Sequence, residues 1–469
     1  MYNDETYRHF DMEIKNYQRG DYMKLLFISL GCDKNLVDSE VMLGELSKRG
    51  YSFTEDETEA EIIVINTCCF INDAKEESIN TILEMAEYKN SGSCKALIVT
   101  GCLAQRYRQE IIDEIPEVDA VLGTTSFDHI IEAVEEALKG QNLLKFDDLQ
   151  KLVKSENHRI LTTGGHYAHL KIAEGCDKHC TYCIIPKIRG TFRSVPMEEL
   201  VEEAKYLVSQ GVKELILVAQ ETTLYGVDLY GEKSLHKLLK ELCKIPGLYW
   251  IRIQYCYPEE IYDELIQTIA EEPKICHYLD LPIQHCNDSM LKRMGRRTNK
   301  QQLIDIVEKL RTAIPDIALR TTLIAGFPGE TPEIHEEMMQ FVNDMEFDRL
   351  GCFAYSAEED TPAATFADQV EQELKEVWRD DIMELQSEVC ADLAEDMIGR
   401  EIYVMVEGKV ADEPAYIGRT YKDAPGVDGY IFIQTGEALM SGDFVKVKVT
   451  GAIDYDLIGE IADANEFTE

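Results

Sequence analysis

Short apolar runs alternate with longer amphipathic segments along the first part of the chain, starting at Lys24. Each apolar run has the length of a strand, and each amphipathic segment has the apolar spacing of a helix that packs one face on a sheet. Strands are predicted at residues 25–30, 61–66, 96–100 and 120–124, and helices at residues 39–49, 74–88 and 129–139. Alternation of this kind predicts an α/β fold with a Rossmann-like parallel sheet.

The same alternation resumes after residues 141–165, which lack periodicity, contain Gly164 and Gly165, and are predicted to form a linker. Strands are then predicted at residues 169–173, 214–219, 250–255, 278–282, 318–324 and 349–355, with helices between them such as 197–210 and 301–313. Repeated strand–helix units predict a partial (βα)6 barrel. In such barrels the functional residues lie at the carboxyl ends of the strands.

The pattern changes again after an acidic helical stretch near residues 371–396. Short segments at residues 402–406, 416–421, 430–434 and 444–449 predict the strands of a small β-barrel. The predicted organisation is therefore a polar arm, an N-terminal domain, a linker, a barrel domain and a C-terminal β-barrel, at residues 1–23, 24–140, 141–165, 166–395 and 397–465.

Composition is typical of a soluble globular protein, with 45% hydrophobic and 29% charged residues in a chain of 469. The sequence contains no run of 18 apolar residues, so no membrane span is expected. The amino terminus lacks the basic and apolar regions of a signal peptide, so the 14 cysteines are expected to stay reduced in the cytosol. The net charge of −41 disfavours nucleic acid and favours a basic partner, although a solvated acidic surface explains it equally well.

Cys176, Cys180 and Cys183 form a C-x3-C-x2-C motif just after the first predicted barrel strand. Each iron of a cubane cluster binds a thiolate, so three cysteines leave one iron open for a small molecule. A zinc site is the alternative, but zinc sites usually add a second CxxC or a pair of histidines, and the sequence has no such second pair. The spacing therefore favours an iron–sulfur cluster.

Cys32, Cys68 and Cys102 each follow a predicted strand of the N-terminal sheet. The carboxyl ends of parallel strands share one edge, where open α/β folds bind their ligands. We therefore expect the three thiols to converge on a second cluster. The alternative is that they are buried core cysteines, but these would fall within strands or helices.

Tyr182, directly before the last cysteine of the C-x3-C-x2-C motif, makes the motif resemble the signature of the radical S-adenosylmethionine (SAM) enzymes. The resemblance implies that SAM chelates the open iron and that the reduced cluster cleaves SAM to a radical. Gln220, Gln284 and Gly326 follow the second, fourth and fifth predicted barrel strands. From these strand-end positions we predict that they line the SAM pocket.

The order of the three domains resembles the methylthiotransferases, a radical SAM family that ends in a TRAM domain. Residues 29–40 and 100–104 carry the resemblance most specifically. It implies two [4Fe–4S] clusters, an auxiliary one and a radical SAM one, with metal ligands Cys32, Cys68 and Cys102 and Cys176, Cys180 and Cys183 respectively. The neighbouring Cys69 leaves open which of two adjacent thiols binds, since adjacent side chains of an extended segment point to opposite faces.

These motifs look more like the family branch that modifies a ribosomal protein than like the branch that modifies transfer RNA. The implied reaction adds a methylthio group to the β-carbon of an aspartate in small-subunit ribosomal protein S-twelve. One SAM provides the radical, a second SAM provides the methyl group, and the auxiliary cluster provides the sulfur. An electron donor and a sulfur donor are the further partners implied, and no membrane is expected.

Two other functions remain open from the residues alone. The first is methylthiolation of a transfer-RNA adenosine. The C-terminal segment has 6 basic against 11 acidic residues between 399 and 460, so strong nucleic-acid binding by this domain is not expected. The second is an iron–sulfur electron carrier, which would need neither an open iron nor a SAM pocket.

Overall fold

The computed structural model describes residues 23–153 and 159–462, so the predicted arm at residues 1–23 lies almost wholly outside the described residues. These residues form two compact units. The N-terminal unit comprises the described residues up to Thr162 together with Ile184–Thr191. The second unit comprises Thr163–Cys183 and the described residues from Phe192 onward.

The N-terminal unit is built on a six-stranded parallel sheet with the strand order β2-β1-β3-β4-β5-β6. Its strands are β1 (Lys24–Ser29), β2 (Ser52–Phe53), β3 (Ile62–Thr67), β4 (Ala96–Gly101), β5 (Ala120–Leu122) and β6 (Leu143–Lys145). The central strands β3 and β4 are buried along their whole length, as expected for parallel strands covered on both faces. The predicted Rossmann-like sheet is thus confirmed.

Helices cover the sheet, and one of them comes from a later part of the chain. The helices of this unit are α1 (Asp33–Arg49), α2 (Asn72–Ser91), α3 (Cys102–Tyr107), α4 (Gln109–Glu114), α5 (Ile130–Leu138) and α6 (Ile185–Arg189). Helix α6 follows Cys183 in the sequence, yet its segment groups with the N-terminal unit, where Ile184 and Ile188 join the apolar core. The barrel domain predicted at residues 166–395 is therefore interrupted by this segment.

This unit differs from the sequence-based expectation in the start of α1 and in the presence of β6, and the short elements β2, α3 and α4 were not predicted. Helix α1 begins at Asp33, whereas the sequence predicted a start at residue 39, because the buried polar residues Lys34, Asn35 and Asp38 look like a loop in the sequence. Strand β6 lies inside the predicted linker at residues 141–165 and pairs with β5 at the sheet edge. Strand β6 was missed because its three residues are not fully buried and include Lys145, whereas the equally short β5 is wholly apolar and buried.

The second unit contains an open six-stranded parallel sheet with the order β14-β13-β12-β11-β10-β7, which confirms the predicted partial barrel. A separate two-stranded ribbon pairs β8 with β9. The strands are β7 (Tyr167–Lys171), β8 (Ala173–Glu174), β9 (Arg193–Ser194), β10 (Glu214–Val218), β11 (Trp250–Ile253), β12 (Ile275–Asp280), β13 (Ala318–Ala325) and β14 (Arg349–Ala354). The helices are α7 (Met197–Ser209), α8 (Val227–Tyr230), α9 (Leu235–Cys243), α10 (Asp263–Glu271), α11 (Asp288–Arg293), α12 (Lys300–Ala313), α13 (Pro332–Met345) and α14 (Gln372–Glu395).

The same unit ends in a closed β-barrel with the strand order β15-β16-β17-β19-β18. Its strands are β15 (Glu401–Lys409), β16 (Ala415–Thr420), β17 (Ile431–Gln434), β18 (Phe444–Ile453) and β19 (Asp456–Ile461). The sequence predicted the first four. Strand β19 was missed because its buried and exposed positions alternate over only six residues directly after a tight turn from β18.

Candidate active site with two cysteine centres

The N-terminal cysteine centre consists of Cys32, Cys68 and Cys102 at the carboxyl ends of β1, β3 and β4. Cys32 directly precedes α1, Cys68 follows the last residue of β3, and Cys102 is the first residue of α3. Burial raises the pKa of the Cys68 thiol above its ordinary value, and the thiols of Cys102 and Cys32 raise it further. The structure therefore brings the three predicted ligands together at one edge of the sheet.

Gly31 allows the backbone to pass close to Cys68. Its φ is +93°, and a Cβ added at this position would lie 2.7 Å from the Cβ and 2.9 Å from the Sγ of Cys68. A side chain would therefore be strained by the backbone conformation and would also displace the cysteine. Glycine at this turn is thus part of what positions the centre.

A buried amide network fixes the turns around the N-terminal centre. The Asn35 Nδ2 donates to the carbonyls of Thr67 and Leu30 at 2.9 and 3.1 Å. The Asn66 Nδ2 donates to the carbonyl of Asn35 at 3.0 Å and to the Ser39 Oγ at 2.9 Å. These bonds connect the ends of β1 and β3 to the first turns of α1, so the cysteines that follow the strands have little freedom.

Cys69 is fully buried in the apolar core of the N-terminal unit, together with residues such as Ile63 and Ile82. Ser78 binds the backbone of Cys68 on both sides, accepting from its N–H at 3.0 Å and donating to its carbonyl at 2.8 Å. This tether favours Cys68 over Cys69 as the ligand of the pair. The assignment of Cys68 as a metal ligand stays a prediction.

The barrel cysteine centre consists of Cys176, Cys180 and Cys183 in the loop after β8. Cys176 and Cys180 are buried, and Cys183 is half-buried. Burial raises the pKa of the Cys176 thiol to about 11, with further contributions from Glu221 and Cys180. The Tyr257 hydroxyl lies 3.6 Å from the Cys180 Sγ. The loop therefore buries Cys176 and Cys180, and it places Cys180 beside Tyr257.

Hydrogen bonds from the surrounding barrel hold this loop in its shape. The Cys183 N–H donates to the Cys180 carbonyl at 3.0 Å, which closes a turn between these cysteines. The Thr181 N–H donates to the carbonyl of Met294 at 2.9 Å. The Arg296 guanidinium lies 4.3 Å from the centre of the Tyr257 ring and pairs with Glu259 at 3.0 Å. Together these contacts hold the cysteine loop and the neighbouring Tyr257 in place.

Gln220, Gln284 and Gly326 lie where the sequence placed them, just beyond the ends of barrel strands. The Gln220 Oε1 accepts from the N–H of Gly175 at 2.9 Å, and its Nε2 donates to the Glu174 carboxylate at 2.5 Å. The Gln220 side chain therefore supports the cysteine loop directly. Its predicted contact with SAM stays a prediction.

Gln284 and Gly326 have unusual backbone conformations. Gln284 has a φ of +70° and bridges to β13, donating to the Thr322 carbonyl at 2.9 Å and accepting from the Ile324 N–H at 2.8 Å. Gly326 has a φ of +72°, and a Cβ there would lie 2.3 Å from the Lys375 Cγ. Glycine is thus required at 326 by packing, and a SAM contact at either residue stays a prediction.

Glu221 is a buried carboxylate outside the set of site residues predicted from the sequence. Its Oε1 accepts from the Thr223 N–H at 2.9 Å, while its Oε2 has no hydrogen-bond partner among the described residues. Burial raises the pKa of Glu221 to about 7. An acid directly after the second barrel strand was the available signal, but its burial and its half-satisfied carboxylate become visible only in the fold.

The spacing of the thiols in the structure bears on the type of metal. In a tetrahedral zinc site with Zn–S bonds of about 2.3 Å, ligand sulfurs lie roughly 3.8 Å apart. Within the described residues, no trio of Cys, His, Asp or Glu ligand atoms that lie within 4.8 Å of one another includes any of the six cysteines. A cubane cluster binds each thiolate at a different iron and so spreads the sulfurs further apart.

Comparison with known proteins agrees with the architecture. The uncharacterized protein family UPF0004 matches residues 24–123, the radical SAM superfamily matches residues 170–342, and the TRAM domain matches residues 398–462. A ribosomal protein uS12 methylthiotransferase RimO from Lachnoclostridium phytofermentans is 64% identical over 93% of this chain and 99% of that protein. The chain belongs to the RimO family.

Other relatives agree with this assignment. RimO proteins from Clostridium perfringens and Acetivibrio thermocellus are each 50% identical over 93% of this chain and 98% of their own length. A solved structure of TsrM, a radical SAM methyltransferase from Kitasatospora setae, has a TM-score of 0.51 at 13% identity, covering 84% of this chain and 80% of TsrM. That likeness concerns the fold alone. In the part of the chain that the structure describes, no helix has the length and hydrophobicity needed to cross a bilayer.

Proposed function

We propose that this chain is a radical SAM methylthiotransferase that adds a methylthio group to the β-carbon of an aspartate in ribosomal protein uS12. The observation that carries the proposal is the presence of two three-cysteine centres, each at the strand ends of a different parallel sheet. SAM cleavage by itself needs one such centre. A second centre suits the delivery of sulfur to an unactivated carbon.

Both centres fit [4Fe–4S] clusters, because each offers three soft thiolate ligands and neither has the compact spacing of a zinc site. When bound, a cluster on Cys176, Cys180 and Cys183 supplies the reductive cleavage of SAM and one on Cys32, Cys68 and Cys102 supplies sulfur. With only three cysteines in a centre, one iron keeps a coordination position for a ligand that is not part of the protein.

The barrel supplies the surroundings for this chemistry. Gln220 holds the backbone at Gly175, next to the first cysteine of the loop. The half-buried residues Tyr182 and Tyr257 lie beside the cysteines, with the Tyr257 hydroxyl 3.6 Å from the Cys180 Sγ. The free Oε2 of Glu221 can accept a hydrogen bond from the amino group of a bound SAM, so we add Glu221 to Gln220, Gln284 and Gly326 as a candidate SAM contact.

The proposed partners follow from charge and from the reaction. The net charge of −41 and the acidic excess of the C-terminal β-barrel suit a basic ribosomal protein better than RNA. We therefore propose that the β-barrel binds nucleic acid weakly. The enzyme also requires an electron donor and a sulfur donor, and we place it in the cytosol, where uS12 is assembled into the small subunit.

The test uses the full chain, reconstituted anaerobically with iron and sulfide and then reduced. The protein is incubated with methyl-labelled SAM, sulfide, small ribosomal subunits and bulk transfer RNA, and mass spectrometry locates the label. Label on an aspartate of uS12 is expected. Label on a transfer-RNA adenosine would contradict the proposed substrate, and SAM cleavage without labelling of either would contradict the proposed sulfur transfer. The Cys180→Ala variant serves as the control that should cleave no SAM.

A further inference from the structure

Arg189 places a buried positive charge at the N-terminal cysteine centre. It is the last residue of α6, the short helix that follows Cys183 and belongs to the N-terminal unit. Arg189 is only 2% exposed. An arginine side chain stays charged at any ordinary pH, so its burial requires partners that compensate the lost hydration.

The guanidinium of Arg189 divides its hydrogen bonds between a carboxylate and the cysteine centre. Its Nη1 donates to the Asp38 Oδ2 at 2.8 Å. Its Nη2 donates to the Asn35 Oδ1 and lies 3.5 Å from the Cys102 Sγ. Asp38 therefore balances the charge, while the other arm of the fork is directed at the sulfur of a candidate ligand.

The positive charge of Arg189 bears on the reduction potential of a cluster bound at this centre. Hydrogen bonds to the ligand sulfurs and nearby charge are among the factors that set the reduction potential of an iron–sulfur cluster. A donor on the sulfur stabilises the reduced, more negative state more than the oxidised state. Removing the donor should therefore make the potential more negative.

We propose that Arg189 is a positioning residue of the N-terminal centre, which holds Cys102 through its sulfur and raises the reduction potential of the cluster bound there. This inference rests on the proposed function, because it requires an auxiliary cluster on Cys32, Cys68 and Cys102. A purely structural Asp38–Arg189 ion pair would stabilise the fold without changing that potential, and this difference makes the two roles separable.

The experiment uses the full-length chain with Cys176→Ala, Cys180→Ala and Cys183→Ala, so that only the auxiliary cluster contributes to the signal. After anaerobic reconstitution, a redox titration followed by electron paramagnetic resonance gives the midpoint potential. The variants are Arg189→Lys and the double change Arg189→Gln with Asp38→Asn, which removes both charges without leaving either buried alone. The matched control is Arg159→Gln with Glu40→Gln, a second buried pair of the same unit at 3.6 Å.

We expect the double variant at 189 and 38 to titrate at a more negative potential, Arg189→Lys to shift in the same direction by less, and the control pair to titrate like the parent. Loss of iron from the double variant with an unchanged circular dichroism spectrum would also support the holding role. If the double variant fails to fold, the midpoint potential of Arg189→Lys alone tests the inference. Unchanged potentials in the folded variants would overturn the inference. A parent that binds no cluster would instead overturn the proposed function.

Discussion

The reactive side chains of this protein are positioned by their immediate backbone neighbours. Cys32, Cys68 and Cys102 lie within three residues of the ends of β1, β3 and β4, where the local backbone conformation decides the direction of each sulfur. Gly31 shows this most clearly, because its φ is +93° and a Cβ added there would lie only 2.9 Å from the Cys68 Sγ, which leaves no room for a side chain. The geometry of the centre therefore depends on a residue that is not itself a ligand.

Gly31→Ala is expected to damage the N-terminal centre through steric contact with Cys68. The left-handed backbone costs a non-glycine residue about 1–2 kcal/mol, and the clash with Cys68 adds to that cost. We expect a lower free energy of unfolding and reduced iron uptake by the N-terminal centre, measured by denaturant titration and by iron analysis of the reconstituted protein.

Gly140→Ala is the matched control, because Gly140 has a φ of +73° but no atom within 4 Å of an added Cβ. This control should lose about 1–2 kcal/mol from backbone strain alone and keep its iron. Equal iron content in the two variants would show that the close approach at Gly31 does not position Cys68.

The candidate ligands were predictable from the sequence, whereas Arg189 and Glu221 beside them were not. The cysteines stand out because three of them share a short motif and three others follow predicted strands. Arg189 is 87 residues away from Cys102 in the sequence, and Glu221 is conspicuous only because its Oε2 is buried without a partner. Such roles arise from long-range contacts that no local pattern encodes.

At the level of strands and helices, a buried ion cluster joins the open barrel to the C-terminal β-barrel within the second unit. Glu214 on β10 accepts from Arg252 on β11 at 2.8 Å and from Arg419 on β16 at 2.7 Å, and all three side chains are fully buried. Burial by itself would raise the pKa of Glu214, but the two arginines outweigh it and lower the pKa to about 2. Glu214 therefore compensates the charge of both buried guanidinium groups, and Glu407, at 2.6 Å, is a second partner of Arg419.

Glu214→Gln should destabilise the second unit strongly. The change leaves two buried arginines without their shared counter-charge, a loss of roughly 3–5 kcal/mol in free energy of unfolding. Denaturant unfolding measures the loss. Glu202→Gln, at an exposed acid on α7, is the control and should change stability little. A Glu214→Gln protein as stable as Glu202→Gln would contradict the role assigned to the cluster.

The Glu214 ion cluster also predicts a pH dependence. Since the folded pKa of about 2 is lower than the ordinary value of 4.5, the stability from Glu214 is fully present above about pH 4.5. It is lost as the pH falls from there towards 2. The Glu214→Gln variant should therefore lose less stability than the parent between these pH values.

Element boundaries show where sequence patterns stop being informative. The strands β3 and β4 were predicted to within about a residue at each end, because an apolar run of about six residues rich in Ile and Val is typical of a parallel strand covered on both faces. The start of α1 was missed, because polar side chains such as Asn35 are buried to bind backbone groups of neighbouring turns. Burial of polar residues depends on tertiary partners, so polarity was a poor guide there.

Across the whole molecule, the two centres belong to two different compact units. Each unit is built from two separate segments of the chain, because Ile184–Thr191 returns to the N-terminal unit directly after the barrel cysteines. Each centre draws its candidate ligands from one unit, and the hydrogen bonds described above for each centre come from residues of that unit. Loss of one centre should therefore leave the other intact. Removing one centre at a time can therefore test the separate roles proposed for them, SAM cleavage and sulfur supply.

Cys68→Ala is expected to remove the auxiliary cluster but to leave SAM cleavage, whereas Cys180→Ala should abolish cleavage and keep the auxiliary cluster. Each variant should hold about half of the iron of the parent after reconstitution, because a structural thiolate is lost from only one of two similar centres. Neither variant should modify uS12.

Cys94→Ala is the control, because this buried core cysteine belongs to neither centre. Iron analysis, formation of 5'-deoxyadenosine from SAM and mass spectrometry of uS12 together give the readout. If Cys68→Ala also stopped SAM cleavage, the two centres would be coupled, and the assignment of separate cleavage and sulfur-supplying roles would be wrong.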